Sequence, residues 1–174
     1  MNRPAWIIVH HTGGTNANPR ADTSHHTFET VNEWHRQLWN WESTTGNYIG
    51  YHFFIDKTGK VTQGRGLDEA GAHTKGMNTS SIGICLAGNF DVTMPTVEQE
   101  IALRELLIKL MKQLKIPADK IVPHRKFSSK TCYGSNLKDD WAALLVKNKI
   151  DVCTLEMFST QDLLGELRRR WWGT

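Results

Sequence analysis

Two histidines close the apolar run Trp6-Ile7-Ile8-Val9 near the start of the chain. Successive side chains of a strand point to opposite faces of a sheet, so His10 and His11 cannot both serve one site. The alternation alone does not say which of them would be a metal ligand. A polar strand end with two solvated histidines fits the same pattern, so both interpretations stay open at this point.

A histidine and a cysteine, His124 and Cys132, bound a short segment further along the chain. A loop of this length can turn back and bring an imidazole and a thiolate to one ion. Zinc accepts such nitrogen and sulfur ligands in tetrahedral sites. Spacing alone also fits a buried histidine and an unrelated free cysteine, so it indicates a zinc site without requiring one.

Tyr51 and Lys130 could act beside such an ion. Tyr51 starts an apolar segment, and Lys130 lies two residues before Cys132. If Cys132 binds a metal, the chain holds the Lys130 ammonium close to a second cation, which repels it. This arrangement favours a catalytic use of the lysine, although a lysine that reaches into solvent fits equally well.

Apolar periodicity predicts the elements that must position these residues. The strands are expected at 6–10, 51–55, 60–63, 82–86 and 121–122. Helices are expected at about 27–39, from the capping box of Thr96 and Gln99 to Leu114, at 136–147, and from Ser159 onward. Residues 64–80 read as a long loop. The alternation predicts an α/β fold in a single domain, with a central mixed β-sheet flanked by helices and the zinc site at strand ends and loops.

Composition and charge argue against a nucleic-acid-binding protein and a disulfide-rich protein. The 174 residues suit one domain, and the net charge of +3 is mild. Only 168–170 form a dense basic run, so no nucleic-acid partner is expected. Three cysteines are too few for a disulfide framework, and Cys85 reads as a small core residue. We expect a monomer.

Six short motifs occur in order within about residues 6–133. They are Ile-Ile-Val-His-His-Thr, Ile-Gly-Tyr-His-Phe, Gly-Ala-His, Ser-Ile-Gly-Ile-Cys-Leu-Ala-Gly-Asn-Phe, Pro-His-Arg and Lys-Thr-Cys. The series resembles the N-acetylmuramoyl-L-alanine amidase family of phage lysozyme-amidases and animal peptidoglycan recognition proteins. Each motif is short, but their order and spacing make the resemblance specific.

The resemblance implies an activity and a cofactor. The activity is zinc-dependent hydrolysis of the amide between N-acetylmuramic acid and L-alanine in bacterial peptidoglycan, by a phage endolysin or a related lytic enzyme. The implied Zn²⁺ ligands are His10, His124 and Cys132, which selects His10 over His11. Three protein ligands leave a fourth zinc position for water, as in catalytic sites.

The resemblance also implies roles for the residues around the metal. Tyr51 and Lys130 match the catalytic pair of the active enzymes, and His73 matches a residue that lines the substrate groove. Tyr133 stands where many members have proline, which changes the loop beyond the site without removing a ligand.

Other functions are compatible with parts of the same pattern. Some recognition proteins bind peptidoglycan without cleaving it, and they typically replace the cysteine that is Cys132 here. Intracellular recycling amidases tend to carry Glu at the position of Tyr51 and Asp at that of Cys132, so this chain matches the phage pattern instead. An exported amidase effector would have the same sequence features. Nothing in the sequence indicates the polymerase partner of one phage relative.

The chain is expected to divide into a zinc amidase domain, 1–150, and a helical extension, 151–174, packed on or appended to it. The leucines of the extension would pack on the domain. The sharper alternative is a weak contact with an anionic wall or membrane surface through Arg168, Arg169, Arg170, Trp171 and Trp172. The first apolar stretch is too short for a signal peptide, so we expect synthesis in the cytoplasm and action on the wall after release or export.

Overall fold

Five strands and three α-helices make up residues 2–147, the part of the chain that the computed structural model describes. The strands are β1 (Trp6–His11), β2 (Phe53–Ile55), β3 (Val61–Gln63), β4 (Ser81–Leu86) and β5 (Ile121–Pro123). The helices are α1 (Phe28–Trp39), α2 (Val97–Leu114) and α3 (Trp141–Lys147), with short 3-10 helices at Ala118–Lys120 and His124–Lys126. The predicted α/β fold with a mixed sheet is confirmed.

The sheet has the order β3-β2-β4-β1-β5, and only the β2–β3 hairpin is antiparallel. β1 lies inside the sheet, with β4 on one side and β5 on the other. His10 is in register with Cys85 of β4, and Val9 with Pro123 of β5. The carboxyl ends of these parallel strands meet at one edge, which is where open α/β sheets bind their ligands.

The two faces of the sheet carry different layers. Ile7 and Val9 belong to the larger core, together with Leu103 and Leu107 of α2. On the opposite face a smaller cluster packs Val31 of α1 against Phe54 and Cys85 of the sheet. Cys85 is fully buried, as expected of a small core residue. Because His10 follows Val9 in the strand, its side chain lies on the face that α1 covers.

Local signals fix the helix starts. Thr27 caps α1, and its Oγ1 accepts a hydrogen bond from the N–H of Thr30 at 3.3 Å. At the start of α2, Thr96 and Gln99 each accept from the other's N–H at 3.1 Å, which is the predicted capping box. Both helices are confirmed, and 64–80 contains no helix or strand, as predicted.

Two predicted elements are longer than the observed ones. Regular pairing of β2 with β4 begins at Phe53, opposite Ile84, so Tyr51 lies just before the strand. The helix predicted at 136–147 is wrong over its first part, since α3 begins at Trp141. The carbonyl of Leu137 accepts from the Arg125 guanidinium at 2.6 Å, and that of Asp139 accepts from the Tyr133 hydroxyl at 2.8 Å. These side chains replace the helical N–H donors that a continuous helix would supply.

The predictions for the end of the chain lie outside the described residues. They are the boundary at 150, the helix from Ser159 and the basic-aromatic patch at 168–172. Between residues 2 and 147, no helix is both long and apolar enough to cross a membrane.

Two of the buried histidines, His35 and His52, accept hydrogen bonds from backbone N–H groups around the sheet. Nδ1 of His35 accepts from the N–H of Gly50 at 2.9 Å, and Nδ1 of His52 accepts from the N–H of Gly83 at 3.0 Å. Only an unprotonated ring nitrogen can accept. Burial lowers the pKa of each imidazole from 6.5 to about 4, so the folded state holds both rings neutral.

The free energy of unfolding is therefore expected to fall as the pH drops from 6.5 to about 4. Over this interval the unfolded chain binds more protons than the folded one, so acid favours unfolding. A shift of this size is worth at most roughly 3 kcal/mol for each ring. Urea unfolding of metal-free protein at about pH 7 and about pH 4.5 measures the loss.

Single substitutions assign this loss to particular rings. His52→Asn keeps an acceptor but removes the titrating group, so it should lose less stability than the wild type between the two pH values. The control, His25→Asn, replaces an exposed histidine. Equal losses in His52→Asn and the wild type would contradict the assignment.

Candidate metal centre

The edge where the parallel strands end brings three metal-binding side chains together. His10 lies near the end of β1, and His124 follows β5 directly; their ring centroids are 4.5 Å apart. Cys132 reaches the same place from the loop beyond, with Sγ 3.7 Å from Nδ1 of His10. One donor atom of each residue lies within 4.8 Å of the others. This group could hold a metal ion.

His11 lies on the opposite face, as the strand alternation requires. Its Nδ1 accepts a hydrogen bond from the N–H of Phe90 at 2.9 Å, and its ring packs 5.6 Å from the Phe90 ring. The structure therefore brings His10 into the group and gives His11 a structural contact.

The loop that carries Cys132 is held by Arg125, to which sequence reasoning assigned no role. Its guanidinium donates to the carbonyls of Gly134 at 2.7 Å and Leu137 at 2.6 Å, and the backbone N–H of Arg125 donates to the Cys132 carbonyl at 2.6 Å. Tyr133, the departure from the family pattern, is fully buried and packs edge-on against Trp141. The loop is thus anchored on both sides of Cys132.

Burial sets the protonation of the three donors. It holds the pKa of His10 well below its usual range, and the neighbouring His73 and His124 add to the effect. The pKa of His124 is lowered by burial and by the nearby Lys130. Both imidazoles are thus neutral, as metal binding requires. Burial raises the pKa of the Cys132 thiol to about 12, against the opposing charge of Lys130.

Tyr51 flanks the group on the α1 side. Its ring centroid lies 5.1 Å from that of His10 and 5.6 Å from that of His35. Burial raises the pKa of the phenol well above its usual range, with a further contribution from Cys85 and Cys132. The hydroxyl therefore keeps its proton at neutral pH.

His73 touches the candidate ligand His10 directly. Nδ1 of His73 lies 3.1 Å from Nε2 of His10 and 3.0 Å from Oγ1 of Thr74. Its own Nε2 is buried and has no hydrogen-bond partner among the described residues. A Cβ added to Gly83 would lie 2.5 Å from Cδ2 of His73, and one added to Gly71 would lie 2.3 Å from it. Only glycine at both positions leaves room for this ring.

All six residues singled out from the sequence line one open cleft of about 1370 Å³. They are His10, Tyr51, His73, His124, Lys130 and Cys132. Lys130 is exposed at its rim. Sequence reasoning missed three tryptophans of the same cleft, Trp34, Trp39 and Trp41. Their cluster within eight residues was the signal that could have found them.

A family model described as N-acetylmuramoyl-L-alanine amidase matches residues 1–135. The chain therefore belongs to the N-acetylmuramoyl-L-alanine amidase family, as its motifs predicted.

Individual relatives agree with this assignment. The endolysin of Klebsiella phage KP32 is 33% identical over 116 residues, which cover 64% of this chain and 72% of that protein. Peptidoglycan-recognition protein SC2 of Drosophila melanogaster is 30% identical over 137 residues, 78% of this chain and 71% of the relative. The solved structure of the N-acetylmuramoyl-L-alanine amidase LysC from Clostridium intestinale URNW has a TM-score of 0.69 at 28% identity, with 85% and 88% of the two chains covered. Together they support peptidoglycan amidase activity, with peptidoglycan as the expected substrate or ligand.

Replacement of Arg125 by lysine is expected to expose Cys132. A lysine cannot donate to several carbonyls in the fixed geometry of a guanidinium, so the loop should loosen. The reaction rate of the Cys132 thiol with a disulfide reagent should rise about tenfold in metal-free protein. A tenfold rise corresponds to a free energy of loop opening that is lower by about 1.4 kcal/mol. A Cys153→Ser background removes one competing thiol.

Arg104→Lys is the matched control. Arg104 also donates to a backbone carbonyl, that of Leu145 at 3.0 Å, but it joins α2 to α3 instead of holding the cysteine loop. An equal rise in thiol reactivity in both variants would show that general destabilisation, and not the loop anchor, exposes Cys132.

Proposed function

We propose that this protein hydrolyses the amide bond between N-acetylmuramic acid and L-alanine in peptidoglycan, with zinc held by His10, His124 and Cys132. The observation that carries the proposal is the placement of three donor atoms within 4.8 Å in a cleft that also holds Tyr51. Membership of the amidase family supplies the reaction class.

The donor set fits zinc. Two imidazoles and one sulfur are ligands that zinc binds tetrahedrally, and three protein ligands leave a position open. Nε2 of His10 faces His73 and Thr74, which leaves Nδ1 on the side of the Cys132 sulfur. Ligating histidines usually make such a second contact, because it fixes the tautomer and the orientation of the ring. His73 would thus orient His10 in addition to lining the groove.

When bound, zinc supplies Lewis-acid polarisation of the amide carbonyl and an activated water nucleophile. Cys132 contributes a negative charge as thiolate, which offsets part of the metal charge and makes further hydrogen-bond donors useful. Tyr51 is one such donor: its buried hydroxyl keeps its proton and can stabilise the negative charge that develops on the carbonyl oxygen.

Lys130 is the second donor that we propose. Its ammonium lies at the cleft rim, where its charge influences both His124 and Cys132. A cation at this place can stabilise the oxyanion or deliver a proton to the leaving alanine nitrogen. Tyr51 and Lys130 would share these two tasks.

The likeness to a phage endolysin supports a lytic role on the cell wall, reached after release or export. The alternative is a protein that binds peptidoglycan without cleaving it, and the relative named as a recognition protein is the observation that favours it. Release of new alanine amino groups from purified wall distinguishes the two functions.

Removal of zinc with a chelator is expected to abolish this release, and added zinc should restore it. Cys132→Ser should weaken zinc binding, measured by competition with a chromophoric chelator, by more than His73→Ala. Loss of an outer contact of a ligand costs roughly 10–100-fold in affinity, which is our expectation for His73→Ala, so loss of a direct ligand should cost more.

Cobalt-loaded protein provides the control. Its sulfur-to-metal absorption band should disappear in Cys132→Ser and persist in Cys85→Ala, since Cys85 is a core residue of β4 outside the donor group. Full activity of the chelated wild type would overturn the zinc proposal.

Tyr51→Phe and Lys130→Gln should each lower kcat by roughly 10²–10³-fold, the usual cost of losing a donor to the oxyanion. Zinc affinity should change little in Tyr51→Phe, because the ring beside His10 is retained. Tyr48→Phe and Lys126→Gln are matched controls, since neither residue lines the cleft. A change in KM alone, with kcat unchanged in Tyr51→Phe, would assign that residue to binding and not to catalysis.

A further inference from the structure

An exposed aromatic surface borders the cleft on the α1 side. It consists of Trp34, Leu38, Trp39 and Trp41, which we call the aromatic ledge; their side chains are 47–53% exposed. Its three tryptophans are the only strongly exposed ones in residues 2–147, and all four residues of the ledge line the cleft. A contiguous exposed apolar patch on a soluble domain commonly marks a binding surface.

The ledge is held in place from below. The buried His35 packs against Trp39 at 4.5 Å and against Trp34 at 5.4 Å between ring centroids, while its Nδ1 is fixed by the N–H of Gly50. Exposed side chains normally keep their rotamer freedom, and a ring that is already fixed loses less of it on binding.

Trp41 has a separate support. The guanidinium of Arg65 lies 4.6 Å from the centroid of its ring and donates to its carbonyl at 2.9 Å. Arg65 is itself almost fully buried, and its Nε donates to the carbonyl of Ile49 at 2.8 Å. The guanidinium, held by these backbone carbonyls, thus supports the Trp41 ring from below.

The ledge is continuous with the candidate metal centre. Trp39 contacts His35, His35 lies 5.6 Å from Tyr51, and Tyr51 lies 5.1 Å from His10, all measured between ring centroids. The tryptophans also line the same cleft as the candidate ligands, so a substrate bound at the metal and extended toward α1 would contact them.

We propose that the aromatic ledge binds the glycan strand of peptidoglycan, with the sugars next to the cleaved muramoyl residue packed on the indole rings. The proposal rests on the proposed amidase function, which puts the muramoyl sugar on one side of the scissile bond and the peptide on the other. Pyranose rings present flat C–H faces that pack well on aromatic rings, and they carry little charge. The ledge has the matching chemistry, since its rings are flat, apolar and uncharged.

A substrate series with one, two and four sugars on the same peptide tests the proposal. In the wild type, kcat/KM should rise with the number of sugars. In Trp39→Ala and Trp41→Ala the ratio of kcat/KM between the four-sugar and one-sugar substrates should fall about fivefold to tenfold, as for anchor residues of other interfaces. Trp41→Phe keeps a flat ring and should restore part of the ratio.

Controls separate a ledge effect from a general loss of stability. Ile101→Ala and Ile108→Ala remove exposed apolar side chains of α2, on the other face of the sheet, and should leave the ratio at the wild-type value. Thermal unfolding of each variant identifies any that are destabilised. An equal fall on all substrate lengths, or no fall, would overturn the proposal.

A binding arm keeps this test independent of the amidase activity. Tetrameric N-acetylglucosamine has no peptide, so its binding, measured by titration calorimetry, should be weakened in the ledge variants even if none of the substrates is hydrolysed. Absence of hydrolysis would contradict the proposed amidase function but not the ledge proposal. Unchanged saccharide binding in the variants would overturn the ledge proposal, as would their selective loss of binding to lipid vesicles or of self-association.

Discussion

The parallel pairing of β1 with both β4 and β5 is the constraint on which the candidate site depends. It brings the ends of three strands that are distant in sequence to one edge of the sheet. His10 and His124 reach ring contact only because β1 and β5 run in the same direction and end together. An antiparallel neighbour would put its end at the opposite edge, and the donor set would be divided between them.

A second constraint lies inside the sheet. Glycine within a strand contributes no side chain and is usually unfavourable. In β4, Gly83 has a use, because the ring of His73 occupies the space where its Cβ would be. That ring reaches His10 at the cost of a buried nitrogen without a partner among the described residues. A group left unsatisfied in this way costs stability, and such costs are commonly found at functional sites.

Elements specified by local chemistry could be predicted from the sequence. The capping box at Thr96 and the apolar run of β4 depend on residues that are close together in the chain, so the sequence alone shows them. The strand alternation separated His10 from His11, but the inward one was chosen by resemblance, because the choice depends on which face α1 covers. The start of α3 was predicted too early for a similar reason. Arg125 and Tyr133 donate hydrogen bonds to the carbonyls of Leu137 and Asp139, and the sequence of that segment does not indicate such tertiary bonds.

The division of the core between the two faces explains how the site tolerates these costs. The face under α2 and α3 holds the larger apolar cluster, and the face under α1 holds a small one beside the cleft. Stability supplied mainly by the α2 face leaves α1 free to carry residues selected for other reasons. Its tryptophans then need not be buried, and the histidines between them and the metal centre need not be replaced by apolar side chains. The sheet separates a layer that stabilises the fold from a layer whose polar and aromatic groups line the cleft.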